Sequence, residues 1–415
     1  MRIGLVSQAL PYLPSRGGFR LYGANLIRQL ARRHEIHLVS LLIEDDAEHL
    51  DWPRRHCASV RTVPVGRHRQ LVAPLSALAA HLWGKPLQQR RAMARLLHEA
   101  VGSFHVMHVE GGYAAGIVPE ELPIAKVLSL HDSWTLRCDE MLRCAPSFNE
   151  RLYYHLLKLH EPRYERLVYP RYERCTVVAD RDGDEIRRVV PEARVDLIPY
   201  GTDTAYFHPV AVAKEPRTLV FHSHLGYAPN IAAALEFAND IFPIVRERVP
   251  DAVFHLVGAN PAPEIQALAE RPGVRLSANL PDLRPAVCAG RIYVCAIRHG
   301  TGLKSKMLEA MAMRLPIVGY PGSTVGLEGV AGQHYMVAHT PQQFAHHVVA
   351  LLGDPGRAER LARAGRALVE ERYSWESRAQ AYEMLYEQVI EERSARSEAR
   401  LARPAATIAR TAREG

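Results

Sequence analysis

The sequence has no CxxC pair. Its six cysteines, Cys57, Cys138, Cys144, Cys175, Cys288 and Cys295, are scattered, and the closest two lack a matching second pair. That spacing excludes a paired-ligand zinc module and reads as free thiols in a cytoplasmic protein. No apolar run approaches the roughly 20 residues that cross a bilayer. The apolar start, Met1 to Leu10, runs into Pro- and Gly-rich sequence without a small-residue cleavage site. It reads as a buried strand, not a signal peptide. No GxGxxG follows it, so a dinucleotide fingerprint has no support. No DxD motif stands at a strand end, because Asp45, Asp46 and Asp51 fall in a polar loop. No metal, no cofactor and no nucleic-acid partner is expected. Acid is missing altogether from residues 52–98, which hold Arg54, Arg55, Arg61, Arg67, Arg69, Lys85, Arg90, Arg91 and Arg95. A solvated basic face, an anionic acceptor and peripheral contact with the inner membrane face all fit that stretch.

What is present is the alternation of an α/β protein. The 415 residues, 47% hydrophobic and 23% charged, suit two globular domains. Short apolar runs at Ile3 to Ser7, Ile36 to Leu42, Val60 to Val65, Phe104 to Val109, Ala125 to Leu130, Thr176 to Ala179 and Val195 to Pro199 read as buried parallel strands. An amphipathic helix is expected from Arg20 to Arg33. After a linker at Pro209 to Pro216 the alternation restarts at Thr218, with one helix expected from Asn230 to Arg248 and another from Leu303 to Met313. The expected domains are residues 1–208 and 209–376, then a helix at 377–394 and a basic, frayed or disordered tail at 395–415. Two doubly wound halves leave a cleft, with ligands at the carboxyl ends of the strands.

The richest segment is Arg298 to Met313, RHGTGLKSKMLEAMAM. Gly300 and Gly302 stand between a strand and a helix, where they let backbone approach a ligand. Helix N–H groups near Leu303, with Lys304 and Lys306, suit a diphosphate. Glu309 lies further along, placed to accept hydrogen bonds from two ribose hydroxyls. The bland alternative is a capped surface helix with exposed lysines.

The run GTGLKSKMLEAMA followed by LPIVG resembles the donor-site motif of family 4 retaining glycosyltransferases of the GT-B fold, two Rossmann-like domains facing across a cleft. Gly300, Gly302, Lys306, Glu309, Ala310, Met311 and Ala312 match; Lys304 stands for an arginine, while Thr301 and Leu303 depart from the pattern. Val195 to Pro209 is similar to the family's interdomain I-P-N-G-V-D segment, with Tyr200 in place of Asn. Val220 to Asn230, Leu256 to Asn260 (with Gly258), Leu280 to Arg284 and Arg372 to Glu376 extend the likeness over residues 1–390, although Ser223 and Gly226 depart. The resemblance implies a nucleoside diphosphate sugar as donor, UDP by default, and an acceptor hydroxyl on a small molecule or a lipid-linked glycan. It implies Glu309 on the ribose and the Gly300–Lys306 segment on the diphosphate and sugar. Gly17 and Gly18 would form the phosphate and acceptor loop. His131, in an H-D pair at a strand end, would polarise a sugar hydroxyl. Glu110 would contact the acceptor. His222 and His224, at a strand end, either line the cleft or are loop histidines, and the loop reading is preferred. An epimerase or phosphorylase of the same fold, and a silent nucleotide-sugar-binding partner protein, are the rival readings.

Overall fold

Strand β1 (Arg2–Ser7) buries every residue after Arg2, as a strand covered on both faces must. In the computed structural model, which describes residues 1–15, 18–65, 87–144, 148–298 and 303–411, it stands inside a seven-stranded parallel sheet. The other strands of that sheet are β2 (Glu35–Ile43), β3 (Ser59–Val65), β4 (Val106–Glu110), β5 (Ala125–Ser129), β6 (Arg174–Val177) and β7 (Val195–Leu197). Their order is β3-β2-β1-β4-β5-β6-β7. The order reverses between β1 and β4, and Ser7 and Glu110 are register partners at the carboxyl ends of those two strands. A reversal of this kind opens a crevice for ligands. Helix α1 (Gly18–Leu30) follows β1, and α2 (Leu87–Ala100) precedes β4. Between β5 and β6 run α3 (Trp134–Cys144) and α4 (Phe148–Val168), which the periodicity of the sequence left unassigned.

The second sheet is also parallel: β8 (Thr218–His224), β9 (Val253–Ala259), β10 (Val274–Ala278), β11 (Ile292–Cys295), β12 (Ile317–Gly319) and β13 (Met336–Val337), in the order β10-β9-β8-β11-β12-β13. Its reversal lies between β8 and β11. The helix expected over Asn230 to Arg248 is divided into α5 (Ala228–Glu236), a π-helical turn (Phe237–Ile241) and α6 (Phe242–Arg248). Pro243 explains the break, since it has no N–H for the helical ladder. Phe237 sits 4.5 Å from Phe254 and 5.7 Å from Phe344, centroid to centroid, and anchors the core of this sheet. Helix α7 (Ser305–Ala312) begins two residues later than expected, so Leu303 lies before it and Lys304 at its N-cap.

By contacts the chain divides into Met1–Ile198 with Ala379–Gly415, and Pro199–Arg378. The sequence boundary at 208/209 thus differs by ten residues. Residues 199–208 are held by the second unit: the Thr202 N–H donates to Tyr373 O at 2.6 Å, and Arg284 Nη1 donates to Tyr206 O at 3.0 Å. The last helix, α8, is a single element from Trp375 to Thr411, longer than the expected 377–394. The supposed tail is rich in Ala and Arg, both strong helix formers, and the helix continues through it. From Ala379 onward α8 belongs to the first unit, where Ala379, Tyr382, Tyr386 and Val389 are buried in one stripe.

Candidate active site

In the second unit, the carboxyl end of β8 and the start of α7 come together. His222 is buried in the strand, and its Nε2–H donates to Glu309 Oε2 at 2.8 Å. The Glu309 side chain is a fifth exposed while that of His222 is almost wholly covered, so the carboxylate has one oxygen fixed from behind and a face toward solvent. Tyr293 holds the strand end in turn: its ring lies edge-on 5.3 Å from the His222 ring, and its hydroxyl donates to His222 O at 3.1 Å. One turn earlier on α7, Lys306 Nζ donates to Asn230 Oδ1 at 2.8 Å. Asn230 Nδ2 donates to His224 O at 2.9 Å, which ties the start of α5 to the end of β8. His222 and His224 therefore stand in the strand, not in a loop, and His222 is the partner of Glu309 that sequence reading did not find. Its only signal was an imidazole directly after the apolar run Leu219 to Phe221.

Gly258, in β9, has a local reason to be glycine. A Cβ there would sit 1.8 Å from the backbone oxygen of Ser223. Its contact is thus with the end of β8, which it lets approach. Leu303 and Lys304 are half-buried at the entry to α7. Gly300, Gly302 and Thr301 lie outside the described residues, as does Gly17.

In the first unit the polar groups are buried under α1. His131 follows β5 with φ 50°, a left-handed backbone that non-glycine residues adopt rarely and often at functional sites. Its ring lies 4.3 Å from that of Phe19 and 4.4 Å from that of Tyr22. Its Nε2 is 3.5 Å from Glu110 Oε1, and neither side chain has more than a trace of exposure. Glu110 is held inside the molecule, as deeply buried as His131. It faces His131 and the backbone of Gly23, where a Cβ would stand 2.5 Å from Oε2. Glycine in α1 is what makes room for this carboxyl. Burial raises the Glu110 pKa, opposed by the neighbouring His131 and the Gly23 N–H. Next to it on β4, His108 is pushed down to about 3, first by burial and then by the charge of His131.

Helix α8 closes the cluster. The Tyr382 hydroxyl lies 2.8 Å from that of Tyr22, 2.9 Å from Thr176 Oγ1 and 3.1 Å from Ser129 Oγ. The Tyr386 hydroxyl donates to His108 Nδ1 at 2.7 Å. These bonds join α1, β4, β5 and β6 to the end of the chain. Gly18, at the first turn of α1, is on the same helix as Tyr22 and Gly23. Among the described residues no cluster of three or more His, Cys, Asp or Glu has metal-site geometry.

Two family models match the chain: glycosyltransferase family 4 over residues 16–206 and glycosyl transferases group 1 over residues 216–354. Sucrose-phosphate synthase from Thermosynechococcus elongatus superimposes with a TM-score of 0.61 at 16% identity, covering 94% of this chain and 99% of that one. Anabaena HepE in complex with UDP gives 0.62 at 11% identity over 94% and 100%. A point mutant of S. aureus TarM, in complex with fondaparinux, α-GlcNAc-glycerol and UDP, gives 0.60 at 10% identity over 93% and 99%. No curated protein matches the sequence. Two parallel sheets in this order are the GT-B type of α/β architecture. The chain belongs to the group 1, family 4 type of glycosyltransferases, and the protein is an enzyme of sugar transfer.

Proposed function

We propose that the chain transfers a sugar from a nucleoside diphosphate sugar, UDP-linked by default, to an acceptor hydroxyl, with retention at the anomeric carbon and without a metal. The observation that carries this reading is the His222–Glu309 pair beside the Lys306–Asn230 pair, at the carboxyl end of β8 and within the span matched by the group 1 model. A fixed, partly exposed carboxylate accepts from two vicinal ribose hydroxyls. One turn back, Lys304, Lys306 and the N–H groups opening α7 offer positive charge to a diphosphate and to the charge that grows on it as the sugar–oxygen bond breaks. The new bond forms between the acceptor oxygen and the anomeric carbon, and the acceptor proton passes to the departing side. His131, held under α1, polarises a sugar hydroxyl, and Gly17 and Gly18 line the phosphate and acceptor loop. HepE has been crystallised with UDP-glucose, which supports a donor of that class for this chain. The reaction is placed in the cytoplasm, with a small molecule or a lipid-linked glycan as acceptor.

A thermal-shift screen against UDP, GDP, TDP and ADP and their sugars tests the reading, because a ligand bound only by the folded state raises apparent stability. Stabilisation by one nucleotide that vanishes in Glu309→Ala is the expected result. No shift with any of them would remove the donor site and favour the silent-binding alternative.

A further inference from the structure

Helix α4 is the longest helix between β5 and β6, and its outer side has an unusual composition. Phe148 is 78% exposed, Leu159 63%, Leu167 66% and Leu152 38%. Large apolar side chains standing this far into water, in a row, mark an interaction surface more often than isolated ones do. The cations Arg151, Lys158, Arg163 and Arg166 are exposed between them, with the imidazole of His155. At one turn per 3.6 residues all nine fall within an arc of about 180°, and the row from Phe148 to Leu167 is about 30 Å long. The acids of α4 point elsewhere: Glu161 and Glu165 are buried, and Glu150 lies on the opposite side of the helix by the same periodicity. Two of the cations are already positioned by the fold. Lys158 bonds Asp139 of α3, and Arg166 Nε donates to Val189 O at 2.9 Å.

We propose that this face of α4 docks the protein on an anionic lipid surface, with Phe148, Leu152, Leu159 and Leu167 entering the interface and the interleaved cations meeting the head groups. Charge complementarity selects this occupant. A second copy set symmetrically on the same face would oppose cation to cation. The chain's own residues 66–86 hold Arg67, His68, Arg69, His81 and Lys85 and no acid, so they too have the wrong sign. A nucleic acid would satisfy the cations and leave the phenyl and leucyl groups in water. No helix among the described residues is long and apolar enough to cross a membrane, so the contact is one of lying on the surface. A lipid-linked acceptor of the proposed reaction would be met along this face, whose residues all belong to the first unit.

The test is co-sedimentation of the full chain with phosphatidylcholine vesicles and with equimolar phosphatidylcholine–phosphatidylglycerol vesicles, at low and high salt. Binding is expected to the second kind only and to weaken with salt. Phe148→Ser/Leu159→Ser/Leu167→Ser and, separately, Arg151→Glu/Arg163→Glu should each reduce partitioning by at least roughly tenfold. Both variants change exposed groups, and each should keep the nucleotide-induced thermal shift of the parent. Equal binding to both vesicles, binding unaffected by either variant, or no binding at all overturns the proposal. So does a dimer that the same substitutions dissolve, which would assign the face to a second copy. None of these outcomes touches the donor site, and loss of nucleotide binding alone leaves the docking face standing.

Discussion

His222 Nε2 donates to Glu309 Oε2 at 2.8 Å, from a strand to a helix 87 residues later in the chain. The bond fixes the carboxylate rotamer before any ligand arrives. His222→Leu should therefore weaken UDP binding by roughly tenfold, a cost of the size of one charge-assisted hydrogen bond. Glu309→Ala should weaken it more, and the double variant should be no worse than Glu309→Ala, since the two act through one contact. Calorimetric titration of the three variants measures this. Undiminished affinity in His222→Leu would leave His222 a structural residue.

His131 is placed by backbone geometry and by two aromatic rings, and little of it is free to move. His131→Ala should lower the transfer rate by about 100-fold, the usual scale for a positioned polar catalyst, while UDP affinity changes little. Steady-state kinetics beside nucleotide binding separates the two effects. Equal losses in both would speak for a role in folding.

Gly23 is the notch that admits Glu110. Gly23→Ala brings a methyl group to 2.5 Å from Oε2 of a fully buried carboxyl. The expected loss is about 1–3 kcal/mol, typical of overpacking, although alanine is the better helix former. Denaturant unfolding reads the sign directly, and a more stable variant would show that the carboxyl can move aside.

Glu165, on α4, is pushed up to about 7, chiefly by burial, with the Thr135 hydroxyl donating to it at 3.2 Å. Its folded pKa exceeds the unfolded value near 4.5, so the folded state holds the proton more tightly. This contribution is fully present below about pH 4.5 and is lost as pH rises to about 7. Glu165→Gln should remove that loss, gaining on the order of 2–3 kcal/mol over wild type above neutrality and little near pH 4. Melting temperatures across that range decide it.

Much of the architecture could be read in the sequence because parallel strands covered on both faces are simple apolar runs, and β1, β4 and β8 all lie where such runs predict. The break at Pro243 had its signal in the proline itself, whereas the late start of α7 at Ser305 was hidden because Leu303 and Lys304 keep helical character. The site was half-legible. Lys306 and Glu309 stand on α7 as their spacing requires. The surroundings of Glu110 were not legible because they are made by Gly23 and His131, on two other elements. His222 was missed because nothing in a strand's alternation says which imidazole meets a carboxylate across the sheet end. Tyr382 was beyond reach, since its hydroxyl partner Tyr22 is 360 residues away.

The same separation governs the order in which the protein can be finished. On the ribosome, Tyr22, His108, Ser129 and Thr176 emerge between 206 and 360 residues ahead of the tyrosines that satisfy them. The whole Pro199–Arg378 unit is synthesised in that interval. The unit begun first is thus completed last. A nascent or truncated chain ending at Arg378 leaves the polar floor beneath α1 uncovered, and the arrival of the final helix is what commits that side of the first unit to its native form.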